Sequence, residues 1–336
     1  MESSNIDSPE LKQDPIWVVG PPRSGTTLTS KILGEHPAIG AVSETHFFED
    51  IWTRFSAEDL SSDTLFEAIQ TLYARYNFPD YQEKLDATLG TAQLKEIIEN
   101  SKSLEELYVQ LFIHLVEPDG KRRFCDDTPK HLYHLDTLTQ LFPESNFIAA
   151  IRDPRDFLSS YKNYWKRSTE SSRVKALYHP IITSLNWRAS ARLILKHKKK
   201  YGDKLYISRY EALVTEPETA VSQLCDFVGE SFSKQMIEIQ SDNSSYGAQG
   251  SGIFSSSVGR WREALSPNEI WWMQTLASKE MEAFGYEREE ISPSPFRIVT
   301  DAISAPFSLL RALRANRNKR GALLPYILKR ISAVGT

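Results

Sequence analysis

The chain has 336 residues, of which 40% are hydrophobic and 25% charged, with a formal net charge of −4. This composition is typical of a globular protein and provides enough chain for one large domain or two ordinary ones. Its first 15 residues are polar and acidic and no uninterrupted apolar stretch reaches 18 residues, so we expect neither a secretory signal nor a spanning helix.

Short apolar segments alternate with amphipathic ones along the chain. Strands are predicted at 15–20, 38–42, 122–127, 146–153 and 203–208, and helices at 26–33, 65–76, 104–117 and 132–142. This alternation indicates right-handed β-α-β crossovers. The predicted fold class is α/β, with three α/β/α layers around a central parallel sheet. Ligands of such sheets bind at the carboxyl ends of the strands.

The predicted organisation is a disordered segment at 1–14, a single domain at 15–290 and a separate tail at 291–336. Within the domain, residues 241–261 are rich in Ser and Gly, which predicts a long loop that acts as a lid or binding element. Cys125 and Cys225 lie in no metal-ligand spacing. We expect them to be small core residues in a reducing, cytoplasmic environment.

The stretch WVVGPPRSGTTLTSKIL, residues 17–33, predicts a strand, a glycine turn and a helix. Two glycines have the spacing of a nucleotide-triphosphate loop, but Thr26 stands where that loop needs its lysine. The turn amides and the helix start can hold an anion. The side chains and glycines at this anion site are Gly20, Arg23, Ser24, Gly25, Thr26 and Thr27. The loop therefore suits a diester-like phosphate better than a triphosphate, the alternative being a plain turn without a ligand.

Two segments of the chain resemble the signatures of a known family. PRSGTTL is similar to the 5′-phosphosulfate loop of sulfotransferases that use 3′-phosphoadenylyl sulfate (PAPS), in the pattern of bacterial members and tyrosylprotein sulfotransferases. IRDPRDFLSSY resembles the family's second signature, because Arg152 and Ser160 are eight residues apart, as are the Arg and Ser that grip the 3′-phosphate. The resemblance implies a P-loop-like 5′-phosphosulfate loop and metal-free sulfuryl transfer from PAPS to a hydroxyl or amine.

Weaker similarities extend the resemblance. RYEALVTEPE resembles a family segment whose tyrosine lies near the 3′-phosphate; in this chain that tyrosine would be Tyr210. A tyrosine that only packs at a strand end is an equal alternative. SSSVGRWRE resembles the loop that closes over the nucleotide and nominates Ser257 and Arg260. We expect Asp153 and Asp156 to cap the helix that follows Arg152 rather than to take part in chemistry.

Sulfuryl transfer needs a base for the acceptor hydroxyl and positive charge on the leaving phosphate. Glu44 follows Arg23 by 21 residues, the interval between loop arginine and catalytic glutamate in the tyrosylprotein enzymes. The resemblance therefore implies that Glu44 is the base and that Arg23 carries leaving-group charge. His46 and His131 are rival bases, and a helix-capping Glu44 is the remaining alternative.

One position departs from the family pattern. Many relatives carry a lysine just before Thr-Pro, near the sulfate, whereas this chain has Asp127 there. Lys130 follows three residues later and either reaches the same oxygens or has a capping or surface role. This departure concerns the mechanism and leaves the fold prediction unchanged.

Two other functions stay open at the level of sequence. A phosphotransferase on the same scaffold would need the missing lysine and magnesium, and a binding protein could keep the nucleotide site without catalysis. The sequence identifies neither the acceptor, which could be a small molecule, sugar, lipid or peptide, nor the oligomeric state.

The last predicted feature is a basic tail. From Phe296 onward there are eight Lys or Arg residues and one acid, so this tail carries +7 and the remainder of the chain −11. The acidic remainder argues against nucleic-acid binding. On a helix Leu309, Leu310 and Leu313 would share one face, with the arginines largely on the other. Such a helix either folds back on the domain or contacts an anionic membrane or a partner protein.

Overall fold

The computed structural model describes residues 14–55, 61–75, 91–164, 175, 178–239 and 253–315. The predictions for 1–13, 241–252 and 316–336 lie outside these residues. The chain divides into two compact units, each described by itself. Unit 1 comprises Met1–Val19, Thr26–Ile148 and Val221–Ile239, and unit 2 comprises Gly20–Gly25, Ala149–Ala220 and Gln240–Thr336.

The five predicted strands form one parallel sheet with flanking helices, which confirms the predicted α/β class. The strands are β1 Ile16–Val19, β2 Ile39–Val42, β3 Arg123–Asp126, β4 Asn146–Ile151 and β5 Leu205–Arg209, in the order β2-β3-β1-β4-β5. In register, Trp17 and Val42 both pair with Asp126. The central strands β1 and β4 are almost fully buried and apolar, as is typical of a parallel strand covered on both faces, so these runs could be recognised in the sequence.

The helices lie between and after the strands. In chain order they are α1 Thr26–Gly34, α2 Ser62–Arg75, α3 Thr91–Asn100, α4 Leu104–Val116, α5 Leu135–Leu141, α6 Pro154–Tyr164, α7 Pro180–Tyr201, α8 Tyr210–Thr215, α9 Pro217–Val228, α10 Trp261–Ala264, α11 Pro267–Leu276, α12 Ser278–Ala283 and α13 Pro295–Ala315. Shorter helical turns are Phe48–Trp52, Thr53–Phe55, Glu117–Asp119, Pro129–His134, Gly202–Lys204 and Lys234–Ile237. Within the described part of the chain, no helix has the length and apolar character needed to cross a bilayer.

One predicted helix boundary was wrong. The segment 132–142 was predicted as a single helix, but its start belongs to the 3-10 turn Pro129–His134, and α5 begins only at Leu135. The His131 amide donates to the Thr128 carbonyl three residues earlier, so this turn is wound more tightly than an α-helix.

The core of unit 1 is built around Trp17 on β1. Its ring stacks on Tyr108 with a centroid distance of 5.6 Å and meets Phe48 edge-on at 5.7 Å. The indole nitrogen donates to the Ser145 hydroxyl at 3.1 Å, so the buried polar atom is paired. Cys125 is fully buried nearby in β3, as expected of a core cysteine.

The core of unit 2 surrounds Trp187 on α7, whose side chain is fully buried. Its indole nitrogen donates to the carbonyl of Arg152, 3.2 Å away, directly after β4. A second buried ring, Trp261, lies under the guanidinium groups of Arg155 and Arg262, with distances of 4.2 and 4.4 Å to the ring centroid. These contacts fix both the end of β4 and the segment before α10.

The turn after β1 requires glycine at its first position. Gly20 has φ 145°, and a Cβ built there would lie 2.3 Å from the Ala150 carbonyl oxygen. No side chain fits at that distance from a rigid backbone atom. The glycine-rich sequence of the loop therefore follows from the close approach of two backbone segments of unit 2.

We expect Gly20→Ala to destabilise the protein more than Gly120→Ala. Both glycines have positive φ, but nothing lies within 4 Å of a Cβ at Gly120. The added clash should lower the free energy of unfolding by about 1–3 kcal/mol beyond the control. Thermal unfolding of the two variants measures this difference, and equal midpoints would contradict the close approach.

Candidate active site

The loop between β1 and α1 presents donors in an unusual backbone conformation. Arg23 has φ 71°, in the left-handed region that non-glycine residues rarely adopt, and Gly25 has φ 95°. A Cβ at Gly25 would lie 2.6 Å from Cδ2 of Tyr210. The Ser24 side chain is fully buried, and its hydroxyl has no hydrogen-bond partner among the residues that the structure describes. The loop therefore contains a buried donor that a ligand oxygen could satisfy.

Arg23 and Ser160, which the sequence analysis assigned to two different phosphates, are in direct contact. The Arg23 Nε donates to the Ser160 hydroxyl at 3.2 Å. Ser160 lies in the second turn of α6, which begins at Pro154. The contact places a residue predicted to bind the 3′-phosphate beside the arginine of the 5′-phosphosulfate loop.

Arg152, placed just after β4, is nearly fully buried, and its guanidinium is held by two contacts. Its guanidinium lies 4.4 Å from the ring centroid of Tyr210, and one terminal nitrogen donates to the carbonyl of Ser257 at 2.7 Å. The hydroxyls of Tyr210 and Ser257 are 2.6 Å apart. The Nε of Arg152 has no partner within the described ranges. This cluster brings together two residues predicted near the 3′-phosphate, Arg152 and Tyr210, and one predicted in the loop over the nucleotide, Ser257.

Asp156 does not cap α6, which corrects our expectation. Its carboxylate accepts hydrogen bonds from the amides of Gly259 and Trp261, at 2.7 and 3.0 Å. Asp153 does behave as expected, because its Oδ1 accepts from the Arg155 amide at 2.8 Å. Asp156 thus tethers the end of the predicted lid segment.

Burial raises the pKa of Asp156 to about 6, although the positive charge of Arg152 and the amides of Gly259 and Trp261 oppose the rise. Arg260, between those two amides, is half-buried. The structure therefore fixes the backbone on both sides of Arg260.

In unit 1 the carboxylate of Asp126, at the end of β3, organises the neighbouring turn. It is fully buried and accepts hydrogen bonds from the hydroxyls of Thr45 and Tyr108 and from the amide of Thr128. The Thr128 hydroxyl in turn accepts from the His46 amide at 3.2 Å. These bonds hold Thr45 and His46, the two residues that follow Glu44. Sequence reasoning did not assign a role to Asp126, Tyr108 or Thr128.

His46 is placed between two carboxylates. Its Nε2 lies 3.2 Å from Glu44 and its Nδ1 lies 3.7 Å from Glu49. Burial disfavours the imidazolium, but the two carboxylates outweigh burial and raise the pKa of His46 to about 9. The hydrogen bond to His46 and the positive charges of His46 and Lys130 hold the pKa of Glu49 far below its usual range despite its burial. At neutral pH His46 is therefore a cation.

His131, the other rival base, is fully buried in the aromatic core. Its ring lies 5.4 Å from Trp17 and 5.3 Å from Phe48, both edge to face. Its Nε2 accepts a hydrogen bond from the Phe48 amide, with an N–N distance of 3.4 Å, and its Nδ1 lies 3.7 Å from Oδ1 of Asp126. Both ring nitrogens are thus directed at protein groups, which suits a packing role.

Asp127, where the family pattern has lysine, is 1% exposed. Burial and the charges of Glu44 and Asp126 raise its pKa to about 8, with the Thr27 hydroxyl opposing the rise. The side chain therefore keeps its proton at neutral pH and adds no negative charge near the start of α1. Lys130 lies in the following 3-10 turn, where its charge acts on His46 and Glu49.

In the described segments, no group of three or more His, Cys, Asp and Glu side chains has the arrangement of a metal site. The acidic residues of unit 1 are instead engaged with hydroxyls, amides and imidazoles.

Comparison with known proteins agrees with these features. The model of the sulfotransferase family matches residues 15–234. Protein-tyrosine sulfotransferase 1 of Danio rerio is 25% identical over 219 residues, which are 63% of this chain and 52% of that protein. The chain thus spans about half the length of this relative.

Two solved structures have the same fold. The sulfotransferase domain from the Synechococcus PCC 7002 olefin synthase has a TM-score of 0.56 and 20% identity, with 82% of this chain and 96% of that chain covered. The sulfotransferase domain from the curacin biosynthetic pathway has a TM-score of 0.54 and 20% identity, with 82% and 99% covered. At such low identity the comparison establishes the fold alone.

The raised pKa of Asp127 predicts a pH-dependent stability. The folded protein binds this proton up to about pH 8, whereas the unfolded chain releases it near the ordinary value of 3.8. The contribution of this proton to the free energy of unfolding is therefore complete below pH 3.8 and is lost as the pH rises to about 8. The loss is at most about 1.4 kcal/mol per pH unit.

In Asp127→Asn this fall should be absent, because the amide does not titrate. Urea unfolding at several pH values measures the slope, with the exposed Asp119→Asn as the matched control. A wild-type slope that Asp127→Asn leaves unchanged would assign the titration to another group.

Proposed function

The chain belongs to the sulfotransferase family, and from this premise we propose that it transfers the sulfuryl group of PAPS to a hydroxyl-bearing acceptor. One observation carries the proposal. In unit 2 the hydroxyl of Ser24 and the Nε of Arg152 are buried donors that have no partner in the parts of the chain described. Buried donors of this kind are costly unless a ligand satisfies them.

The Arg152 cluster supplies what a 3′-phosphate needs. The guanidinium is fixed by the Ser257 carbonyl and the Tyr210 ring, so its orientation is set before a ligand arrives. The Ser160 hydroxyl bonds to Arg23 and can donate its own proton to a phosphate oxygen. A preorganised arginine loses little entropy on binding a dianion.

The glycine loop supplies what the 5′-phosphosulfate needs. The amides at the start of a helix favour an anion, and the hydroxyls of Ser24 and Thr26 can add donors, whereas the Thr27 hydroxyl is engaged with Asp127. PAPS has no γ-phosphate, which explains why this loop does not require the lysine of a triphosphate loop. We assign leaving-group charge to Arg23, which is held in its strained conformation within the loop.

Glu44 is the proposed general base. It accepts the proton of the acceptor hydroxyl as that oxygen forms a bond to sulfur and the bond between sulfur and the phosphate oxygen breaks. Its side chain is 40% exposed, so an acceptor can reach it. His46 is protonated at neutral pH and therefore cannot take this proton, whereas its positive charge orients Glu44.

The acceptor is proposed only by chemical class. The relative from Danio rerio is a protein-tyrosine sulfotransferase, and a phenol is one hydroxyl that a carboxylate base can activate. A screen of phenols, sugars, lipids and tyrosine peptides with labelled PAPS would narrow the class. A chelator in the assay distinguishes the proposal from a magnesium-dependent phosphotransferase, and turnover distinguishes it from a binding protein without catalysis.

We expect Arg152→Ala to weaken binding of adenosine 3′,5′-bisphosphate by about ten- to a hundredfold, because a charged contact to phosphate contributes about 1.5–3 kcal/mol. Isothermal calorimetry measures the change. Arg54→Ala, an exposed arginine paired with Glu67, is the control and should bind like the wild type. An unchanged dissociation constant in Arg152→Ala would remove the 3′-phosphate assignment.

We expect Glu44→Gln to keep bisphosphate binding and to lose turnover by about 10²–10⁴-fold, the usual contribution of a general base. The amide fills the same space but cannot accept the proton. His46→Gln is the comparison, with a smaller loss because the base remains. Should Glu44→Gln stay within a few-fold of wild type while His46→Gln is inactive, the base has been misassigned.

A further inference from the structure

The C-terminal helix α13 packs on unit 2 through one side only. The Ser304 hydroxyl hydrogen-bonds to Nε2 of His179 at 3.1 Å, and the Trp272 indole donates to Asp301 at 3.1 Å. Ser308, on the same side, is 9% exposed. The helix is therefore folded back on its unit, which is one of the three interpretations of the sequence.

The opposite side of α13 is apolar and faces outward. Its side chains follow one another at intervals of three or four residues, which places them on one stripe of an α-helix. They are Phe296, Val299, Ile303, Phe307 and Leu310, with exposed fractions of 74, 55, 63, 69 and 55%. We call these five side chains the apolar face. Contiguous exposed apolar surface of this kind marks an interaction site.

The apolar face differs from the one predicted. The sequence analysis placed Leu309, Leu310 and Leu313 on one face with the arginines largely opposite. In the structure Leu313 is half-buried, and Arg311 and Arg314 are exposed. The difference arises because α13 begins at Pro295 and packs through the side that carries Asp301, Ser304 and Ser308, which leaves the side of Phe296 and Ile303 outward.

The charges around the apolar face are of one sign. Arg297, Arg311 and Arg314 are exposed on α13, while its single acid, Asp301, is engaged by Trp272 on the packed side. By sequence, residues 316–336 add five basic residues and no acid. The chain thus combines an outward apolar stripe with uncompensated positive charge.

From this combination we infer that α13 docks on an anionic lipid surface. Two other occupants fit the charges poorly. A second copy of α13 would bring arginines against arginines, and residues 316–336 would bring further positive charge onto the same helix. An anionic bilayer interface accepts the apolar face and attracts the flanking arginines together. The surface function is separate from sulfuryl transfer and does not depend on it.

Sedimentation with vesicles tests the inference on the full chain. We expect binding to vesicles of phosphatidylcholine with phosphatidylglycerol and much weaker binding to phosphatidylcholine alone. The double variant Ile303→Glu with Phe307→Glu should reduce binding at least tenfold. Arg311→Gln with Arg314→Gln should reduce it by about fivefold per residue removed and lower its salt dependence.

Two controls make the result specific. Phe66→Glu changes another exposed phenylalanine, 44% exposed on α2, and should bind vesicles like the wild type. Binding of adenosine 3′,5′-bisphosphate should be unchanged in every variant, which shows that the fold is intact. Equal partitioning of the wild type and the Ile303→Glu, Phe307→Glu variant onto anionic vesicles would overturn the inference. A second result would also overturn it: the wild type binds no vesicles but self-associates, and the Ile303→Glu, Phe307→Glu variant does not self-associate.

Discussion

The buried carboxylate of Asp126 is the constraint on which the catalytic segment of unit 1 depends. A fully buried carboxylate is tolerated only when its oxygens are hydrogen-bonded, and here Thr45, Tyr108 and the Thr128 amide supply those bonds. Each donor left unpaired would cost about 1–3 kcal/mol. The same bonds hold Thr45 and, through Thr128, His46, the two residues that follow Glu44, so the position of the proposed base depends on the burial of an acid to which we assign no chemistry.

The consequence extends to His46. The Thr128 hydroxyl accepts a hydrogen bond from the His46 amide. The backbone of His46 has φ 51°, a conformation that surrounding contacts must maintain. That conformation directs the imidazole between Glu44 and Glu49 and makes it a cation. His46, two residues from the proposed base Glu44, therefore offsets negative charge and does not compete as a proton acceptor. Asp127 has the complementary effect, since its retained proton removes a charge that would repel an anionic donor.

The sequence predicted those features that are local or that depend on one periodicity. The buried strands and the glycine turn could be recognised from apolar runs and from Gly20, and Arg152 was placed correctly at the end of β4. The role of Asp156 could not, because its partners Gly259 and Trp261 lie about a hundred residues away in the chain. The charge state of Asp127 was hidden for the same reason, since it depends on burial and on neighbours from separate segments.

The acidic body poses an electrostatic question for an anionic donor. Excluding the tail, the chain carries −11, yet charges beyond about 8 Å are largely screened at physiological ionic strength. Affinity is therefore decided by nearby groups, and in unit 2 these include the buried guanidinium of Arg152. Within unit 1, the charges of Glu44 and Glu49 are offset by the His46 cation, and Asp127 is neutral. Distant acids would then affect the rate of encounter and its dependence on salt, while the buried donors would determine how tightly a phosphosulfate is held.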